Sequence, residues 1–118
     1  MAVFIVEKIV DGIMILDLRG RITLGPETEA VRNKLKDLVG AGHHQIILNL
    51  GEVTYLDSVG LGTLTGAFTS IRNSGGSLKL LHLPRGVRQL LQVTRLSTVF
   101  DVYEDLATAI ASFKKEPA

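Results

Sequence analysis

The sequence predicts an α/β domain built on a mixed, four- to five-stranded sheet, with elements in the order β-β-α-β-α-β-α-β-α. Two alternating segments, Phe4 to Val10 and Ile13 to Leu18, flank Asp11-Gly12, a dipeptide suited to a type I′ hairpin turn. Short apolar runs at Gln45 to Leu50 and Leu78 to Leu83 are then separated by helical segments, as is typical of parallel strands buried on both faces. Only the opening hairpin is therefore expected to be antiparallel, with the helices packed against the sheet.

Four segments have the features of helices. The first begins at Pro26, because proline suits an initial helical turn, and its apolar residues recur on one face at Val31, Leu35, Leu38 and Val39. The second begins near Ser58 and stops at Ser74-Gly75-Gly76. The remaining predicted elements are a short helix that carries Val87, Leu90 and Leu91, a last strand from Thr98 to Tyr103, and a final helix from Asp105 to Lys114.

The composition indicates one globular domain spanning residues 1–118. Hydrophobic residues make up 46% of the chain, too many for a disordered segment, and a chain of 118 residues can bury one ordinary core. The net charge of +1 offers no basic surface for direct nucleic-acid binding or for anionic lipid. The longest uncharged run, Ser58 to Ile71, is too short and too polar to span a bilayer. Since no signal peptide or cysteine is present, a cytoplasmic protein without membrane attachment is expected.

The most informative segment is L-D-S-V-G-L, Leu56 to Leu61, in which an acid and a hydroxyl precede a glycine. A hydrolase nucleophile would lie in G-x-S-x-G between a strand and a helix. Here Ser58 and Gly60 match, but Leu56 replaces the first glycine. The only later histidine, His82, falls in a predicted apolar strand, where a core histidine is expected rather than a general base. Most parts of a serine hydrolase are missing, and the chain is not expected to be an enzyme.

No cofactor or metal site is predicted. The glycines between Gly60 and Gly66 loosely resemble the dinucleotide fingerprint, but they do not directly follow a strand. With Ala67, they predict a smooth helix face that the sheet or another protein can approach closely. The adjacent histidines His43 and His44 lack carboxylates at ligand spacing. Three cations on or near the short third helix either meet an acidic partner or are simply solvated; they are Arg85, Arg88 and Arg95.

Asp57 and Ser58 together suggest a helix start that carries a switch. Asp57 is a good N-cap, because its carboxylate can accept a backbone N–H and favours the positive end of the helix dipole. Ser58 would then be exposed in the first turn, where free N–H groups tolerate a phosphate of roughly −1.5 to −2 charges. A protein resting on the same surface would meet a bulky anion beside Asp57. Ser58 is therefore predicted to be a phosphorylation site that controls partner binding.

Five segments together resemble the STAS domain, specifically the small stand-alone anti-sigma factor antagonists (anti-anti-sigma factors) of bacteria. They are L-R-G-R-I-T at Leu18 to Thr23, I-I-L-N-L at Ile46 to Leu50, Y-L-D-S-V-G-L-G at Tyr55 to Gly62, G-G-S-L-K-L-L after the second helix, and R-G-V-R-Q-L-L at Arg85 to Leu91. The D-S-x-G-L-G element in this strand order is the specific one, and the resemblance covers nearly the whole chain.

The resemblance implies a mechanism that operates between proteins. The expected partner is an anti-sigma factor with a histidine-kinase-like ATPase fold, which holds a sigma factor inactive until the unphosphorylated antagonist binds it. Acting as a serine kinase, that anti-sigma factor would phosphorylate Ser58, and a phosphoserine phosphatase would restore the active form. The contact surface is expected in the loop Glu52 to Asp57, in the helix from Ser58 through Gly66, and at Thr23 beside it. Its residues are Thr23, Asp57, Ser58, Val59, Gly60, Leu61 and Gly62.

Two positions depart from the family pattern. Members often have an acid where this chain has Thr23, and many have a second serine where this chain has Val59, so Ser58 is the sole hydroxyl in the motif core. The alternative is a non-switching STAS scaffold, a subunit of a larger signalling or transport assembly. In that case Ser58 is structural and the apolar N-terminal hairpin mediates self-association. A monomer or weak homodimer is expected otherwise.

Overall fold

A computed structural model of the chain describes residues 3–114 and confirms the predicted order of elements. Five strands form one sheet in the order β1-β2-β3-β4-β5. The strands are β1 (Val3–Val10), β2 (Ile13–Ile22), β3 (Gln45–Leu56), β4 (Ser77–Leu81) and β5 (Val102–Tyr103). The helices are α1 (Pro26–Gly40), α2 (Ser58–Asn73), α3 (Arg85–Val93) and α4 (Leu106–Lys114).

The opening hairpin forms as predicted. Strands β1 and β2 pair antiparallel from Val3 with Gly20 to Val10 with Ile13, and all the other strand pairs are parallel. The connecting residues Asp11 and Gly12 have φ of 52° and 78°. Positive φ at both central positions is what a type I′ turn requires, and its twist matches that of the flanking strands.

The strand order places three helices on one face of the sheet. Because β2 to β5 follow one another across the sheet, right-handed crossovers put α1, α2 and α3 on the same side. The larger core lies there, where Leu35, Leu64 and Val87 from the three helices pack with Leu48 of β3. Among residues 3–114 no helix combines the length and apolar character needed to cross a bilayer.

Helix α4 covers the opposite face, where its Ala109 and Phe113 pack with Ile15 and Ile47 of the sheet. The ammonium group of Lys79, which is only 3% exposed, lies beneath this helix. Its Nζ donates to Ser112 Oγ at 2.8 Å and lies 4.3 Å from the centre of the Phe113 ring. The helix is thus held by apolar contacts together with a buried cation that has polar and aromatic partners.

Strands β2 and β3 are longer than predicted, and the predicted loop from Glu52 to Asp57 is wrong because it is strand as far as Leu56. The pairing shifts register twice along β2, so the buried residues late in β3 recur at every third position, at Leu50, Val53 and Leu56. A strand is recognised in sequence by alternation at every second residue, which such irregularities interrupt. The two extended strands carry their ends to the start of α2.

Two predictions near the fourth and fifth strands are also wrong. Strand β4 ends at Leu81, and His82 is an exposed residue with φ of 58° rather than a core histidine. The last strand comprises Val102 and Tyr103 alone instead of beginning at Thr98. Phe100 supplied the apolar signal, but its ring is buried edge-on against Phe68, with the ring centres 5.1 Å apart. Its burial comes from this contact rather than from strand pairing.

Candidate functional site

The candidate site lies where the carboxyl ends of β2 and β3 meet the start of α2. Ile22 and Leu56 are the last paired residues of the two strands. The backbone N–H of Asp57 donates to the Ile22 carbonyl at 3.4 Å, and α2 begins at the next residue. In open α/β sheets, ligand and partner sites gather at this end of the strands because the connecting loops converge there.

Asp57 holds this corner together through both of its carboxylate oxygens. Oδ1 accepts the backbone N–H of Gly60 at 2.7 Å, which confirms Asp57 as the N-cap of α2. Oδ2 accepts the backbone N–H of Leu24 at 3.0 Å. One side chain therefore caps α2 and also fixes the connection from β2 to α1 against it.

The same hydrogen bonds shift the ionisation of this carboxyl group. Desolvation raises the pKa of Asp57, but the backbone N–H groups of Gly60, Leu24 and Val59 together lower it more, so the pKa lies below the usual aspartate value. A carboxylate with a lowered folded-state pKa stabilises the fold at every pH above its unfolded pKa of about 3.9. That stabilisation is lost as the pH falls through the folded-state pKa.

Asp57→Ala is expected to cost about 1 kcal/mol in the free energy of unfolding, because it removes the cap and the tether to Leu24. Thermal unfolding should show a decrease in Tm of about 5 °C. Asp57→Asn is the matched control, since asparagine also caps well. The Tm difference between wild type and Asp57→Asn should be constant at neutral pH and change below about pH 4, as the aspartate is protonated. A difference that does not vary with pH would contradict the lowered pKa.

Ser58 is the first residue of α2 and is exposed. Among residues 3–114 its hydroxyl takes part in no side-chain hydrogen bond, so the fold as described makes no use of it. The hydroxyl is therefore accessible at a helix N-terminus, as the sequence predicts. A phosphate added there would meet N–H groups at the positive end of the helix dipole.

The predicted contact residues fall into two groups. Val59 and Gly62 are exposed beside Ser58, whereas Gly60 and Leu61 are buried beneath it. A Cβ at Gly60 would lie 2.3 Å from the Ile22 carbonyl oxygen, so glycine allows α2 to approach β2. Leu61 is 4% exposed and packs in the core. Gly60 and Leu61 thus position the helix start and offer no side chain to a partner.

Thr23 lies at the end of β2, and its Oγ1 donates to Glu27 Oε1 at 2.9 Å. Glu27 was not among the predicted site residues. It stands in the first turn of α1, four residues after Thr23. A carboxylate therefore occupies this corner although residue 23 is not acidic. In the sequence, Glu27 is one of the acidic residues that follow Pro26. Acidic residues in the first turn of a helix are stabilised by the helix dipole, so nothing in the sequence assigns Glu27 a further role.

Exposed apolar residues lie near the strand ends at this corner. Leu24 is 72% exposed and Tyr55 is 53% exposed, and each lies two residues or fewer from a paired strand end. The Arg21 guanidinium lies 5.3 Å from the centre of the Tyr55 ring. With Val59, which is also exposed, Leu24 and Tyr55 form what we call the apolar rim of the site. Large exposed apolar groups gathered around one polar group are typical of protein contact surfaces.

The other candidate residues do not assemble into a site. Within the part of the chain that the structure describes, no three His, Cys, Asp or Glu side chains are placed to hold a metal ion, and His43 and His44 are among the residues covered. Arg88 forms an ion pair with Glu104, which gives this cation of α3 an intramolecular partner.

Comparison with known proteins identifies the relatives of this fold and site. The family model for the STAS domain matches residues 5–109. The anti-sigma-B factor antagonist of Bacillus subtilis is 36% identical over 72 residues, which are 61% of this chain and 65% of that protein. The matched segment thus spans just under two thirds of that relative. The anti-sigma F factor antagonist of Paenibacillus polymyxa is 23% identical over 104 residues, covering 87% of this chain and 88% of that protein.

Solved structures share the same architecture. The unphosphorylated form of the anti-sigma factor antagonist SpoIIAA, a cell fate determinant of Bacillus, superposes with a TM-score of 0.81 at 20% identity, covering 98% of this chain and all of that one. Its phosphorylated form superposes with a TM-score of 0.74, covering 93% and 99% of the two chains. At this level of identity the likeness shows the fold, and it confirms the predicted mixed sheet with an N-terminal hairpin.

Proposed function

The chain belongs to the STAS domain family, and from that membership we propose that it is an anti-sigma factor antagonist switched by phosphorylation of Ser58. In this proposal the unphosphorylated chain binds an anti-sigma factor with a kinase-like ATPase fold and thereby releases a sigma factor. The partner phosphorylates Ser58, and a phosphatase reverses the modification. The observation that carries the proposal is the Ser58 hydroxyl at the start of α2, which is exposed and takes part in no side-chain hydrogen bond among residues 3–114, with the exposed apolar residues Leu24, Tyr55 and Val59 near it along the two strand ends and α2.

The geometry supports a binding surface rather than a catalytic centre. Within residues 3–114 no hydrogen bond joins the Ser58 hydroxyl to His82, the one histidine that follows it in the sequence, so the serine lacks the paired base of a nucleophile. The neighbouring carboxylate, Asp57, is occupied by two backbone N–H groups. An exposed hydroxyl that is not hydrogen-bonded to a base among residues 3–114 is more compatible with receiving a phosphoryl group from another protein than with acting as a nucleophile itself.

The same geometry supports a switch. A phosphate on Ser58 would leave the hydrogen bonds of α2 intact, because in the described part of the chain the hydroxyl takes part in none of them. It would add a bulky anion beside the Asp57 carboxylate, within the apolar rim of Leu24, Tyr55 and Val59. A partner that covers the rim would have to desolvate that anion, which is costly unless it is paired. Phosphorylation would thus abolish binding without unfolding the domain.

The direct test begins with the chain purified from the cells in which it is native. Mass spectrometry is expected to find phosphate on Ser58 in a fraction of the molecules. The unphosphorylated fraction should co-purify with an ATPase-fold protein, which should transfer phosphate from ATP to wild type and not to Ser58→Ala. Phosphate transfer to Ser58→Ala would place the modification elsewhere and contradict the proposal.

The apolar rim gives a second prediction, on affinity. Leu24→Ser and Tyr55→Ala are each expected to weaken binding of the anti-sigma partner by about tenfold or more. The proposed partner covers the apolar rim, and a few large side chains that become buried in a contact supply most of its binding energy. Their Tm should change by less than about 3 °C, since both side chains are more than half exposed. Binding can be measured by calorimetry with the purified partner.

Ile9→Ala is the matched control for Tyr55→Ala. Ile9 is 58% exposed and pairs with Met14 at the start of β2, at the opposite end of the sheet from the Ser58 corner. Partner affinity should be unchanged in this variant. Equal weakening by Ile9→Ala and Tyr55→Ala would mean that the contact is not centred on the Ser58 corner.

The exposed apolar residues of strand β1 favour the alternative function, a non-switching scaffold. Edge strand β1 exposes Phe4, Val6 and Ile9, and an unpaired edge with apolar side chains can mediate self-association. In a scaffold, Ser58→Asp would bind partners as wild type does, while Phe4→Ala would lower the oligomeric mass measured by sedimentation. The switching proposal predicts weakened partner binding by Ser58→Asp and an oligomeric mass that Phe4→Ala leaves unchanged.

A further inference from the structure

A groove separates α1 from α2 on the outer surface of the domain. Its volume is about 570 Å³, within the range of about 300–1,000 Å³ found for small-molecule sites. From α1 it is lined by Leu35 and Val39, and from α2 by Gly66, Ala67 and Ile71. The groove is continuous with the start of α2, because Val59, Gly62 and Thr63 line it too. Its walls are mainly apolar and its shape is concave.

The glycines in this groove are not required by the packing of the chain itself. A Cβ at Gly62 or Gly66 would have no atom within 4 Å, in contrast to Gly60, where it would strike the Ile22 carbonyl. Each glycine in a helix interior costs about 1 kcal/mol relative to alanine. The structural effect of Gly62 and Gly66 is therefore to keep the groove open. The nearby hydroxyl of Thr63 donates to the Val59 carbonyl at 3.2 Å, so it presents no unmet donor to an apolar occupant.

The charges in the groove have one sign and lie on one wall. Among residues 3–114, Arg32 and Lys36 of α1 are the charged residues that line it, and no acidic side chain in that range does. They are four residues apart on the helix and so lie on the same face. Arg32 donates one N–H to Glu29, which leaves donors for a second acceptor, and none of the ion pairs among residues 3–114 includes Lys36. The asymmetry matches an occupant with an apolar body and one anionic end.

We propose that the α1–α2 groove binds a medium-chain aliphatic carboxylate. The alkyl chain would lie along Gly62, Gly66 and Ala67, against Leu35 and Val39, and the carboxylate would accept hydrogen bonds from Lys36 and Arg32. The site from Val59 to Ile71 extends about 18 Å along α2, at 1.5 Å per residue. Burying the chain would remove apolar surface from water on both sides. This binding does not depend on the proposed function, although Val59 belongs to both the groove and the apolar rim.

The test is calorimetric titration of the purified full chain with decanoate, held below its critical micelle concentration, together with backbone amide NMR. Saturable binding is expected, with the largest shifts at the amides of Gly62, Gly66 and Ala67. Gly66→Leu should fill the groove and weaken binding by at least about tenfold, because the alkyl chain loses its place. Gly86→Leu is the matched control, since Gly86 is a helical glycine of α3 where a Cβ also meets no atom within 4 Å.

The charge requirement is tested separately. Lys36→Gln should weaken decanoate binding by about three- to fivefold, and combined with Arg32→Gln by about tenfold. Decanol, which is uncharged, should bind the variants and wild type alike, and decyltrimethylammonium should bind wild type more weakly than decanoate. Several results would overturn the proposal: no saturable binding of decanoate, equal binding by Gly66→Leu and Gly86→Leu, or equal affinity for the cationic and anionic probes. A protein partner whose footprint fills the groove while decanoate does not bind would assign it to protein contact instead.

Discussion

Ser58→Asp is expected to lower the affinity for the anti-sigma partner by about a hundredfold or more while leaving the domain folded. Two negative charges about 4 Å apart repel by about 1 kcal/mol in water and about 4 kcal/mol at an effective dielectric near 20. Once a partner covers the apolar rim and excludes water, the repulsion between Asp57 and the new carboxylate should approach the value for an effective dielectric of about 20. A loss of about 2.7 kcal/mol corresponds to a hundredfold change in the dissociation constant.

The fold should tolerate this substitution. An acid in the first turn of a helix interacts favourably with the dipole, which offsets part of its repulsion from Asp57. Among residues 3–114 the wild-type hydroxyl takes part in no side-chain hydrogen bond that the variant would lose. The Tm is therefore expected to stay within about 3 °C of wild type. Ser58→Ala, measured beside it, should bind the partner as wild type does.

Affinity is measured by calorimetry with the purified partner, and folding by thermal unfolding of each variant. If Ser58→Asp bound the partner with full affinity, the proposed switch would be contradicted and the non-switching scaffold would be favoured. Lost affinity in both Ser58→Asp and Ser58→Ala would show that the hydroxyl itself is a contact, and would separate binding from regulation by charge.

Gly60→Ala should produce the largest loss of stability of the substitutions considered for α2. The added Cβ would lie 2.3 Å from the Ile22 carbonyl oxygen and 2.7 Å from Leu56 Cδ1. The nearer atom belongs to the backbone, so β2 or the start of α2 must move. Overpacking of this kind costs about 1–3 kcal/mol and at times more. The Tm is expected to fall by roughly 10 °C.

Gly62→Ala, two residues further along the same helix, is the control. A Cβ there meets no atom within 4 Å, and alanine has the higher helix propensity. Its Tm should rise by a few degrees, in line with a gain of about 0.5–1 kcal/mol. If the two variants unfolded at the same temperature, the close approach of α2 to the end of β2 would be contradicted.

The comparison of Gly60 with Gly62 shows what sequence reasoning can and cannot separate. Both glycines were predicted to belong to one smooth helix face. The structure instead buries Gly60 against β2 and leaves Gly62 open beside the groove. A helix turns by about 100° per residue, so two positions two residues apart face opposite directions. Which of them meets the sheet depends on how the helix is oriented, and nothing local encodes that orientation.

Of the apolar rim, Val59 and the segment that contains Tyr55 were predicted to meet a partner, whereas Leu24 was missed for a related reason. Leu24 and Asp57 are 33 residues apart in the chain, and only the pairing of β2 with β3 brings them together. Tyr55 was assigned to a loop, because the register shifts in β2 hide the continuation of β3 from a search for alternation. Thr23 donates a hydrogen bond to Glu27, and this carboxylate could not be assigned to the corner without the geometry of the first turn of α1.

The sequence by itself determined the order and type of the elements and the I′ turn at Asp11-Gly12. It also determined the start of α2, with Asp57 as the N-cap and Ser58 exposed as the first helical residue. These features depend on interactions within a few residues, which capping, turn conformation and periodicity express directly. The tertiary structure alone decided how far β2 and β3 extend, what surrounds Ser58, and that a groove opens between α1 and α2. Those features arise from strand pairing and helix packing between segments far apart in the chain.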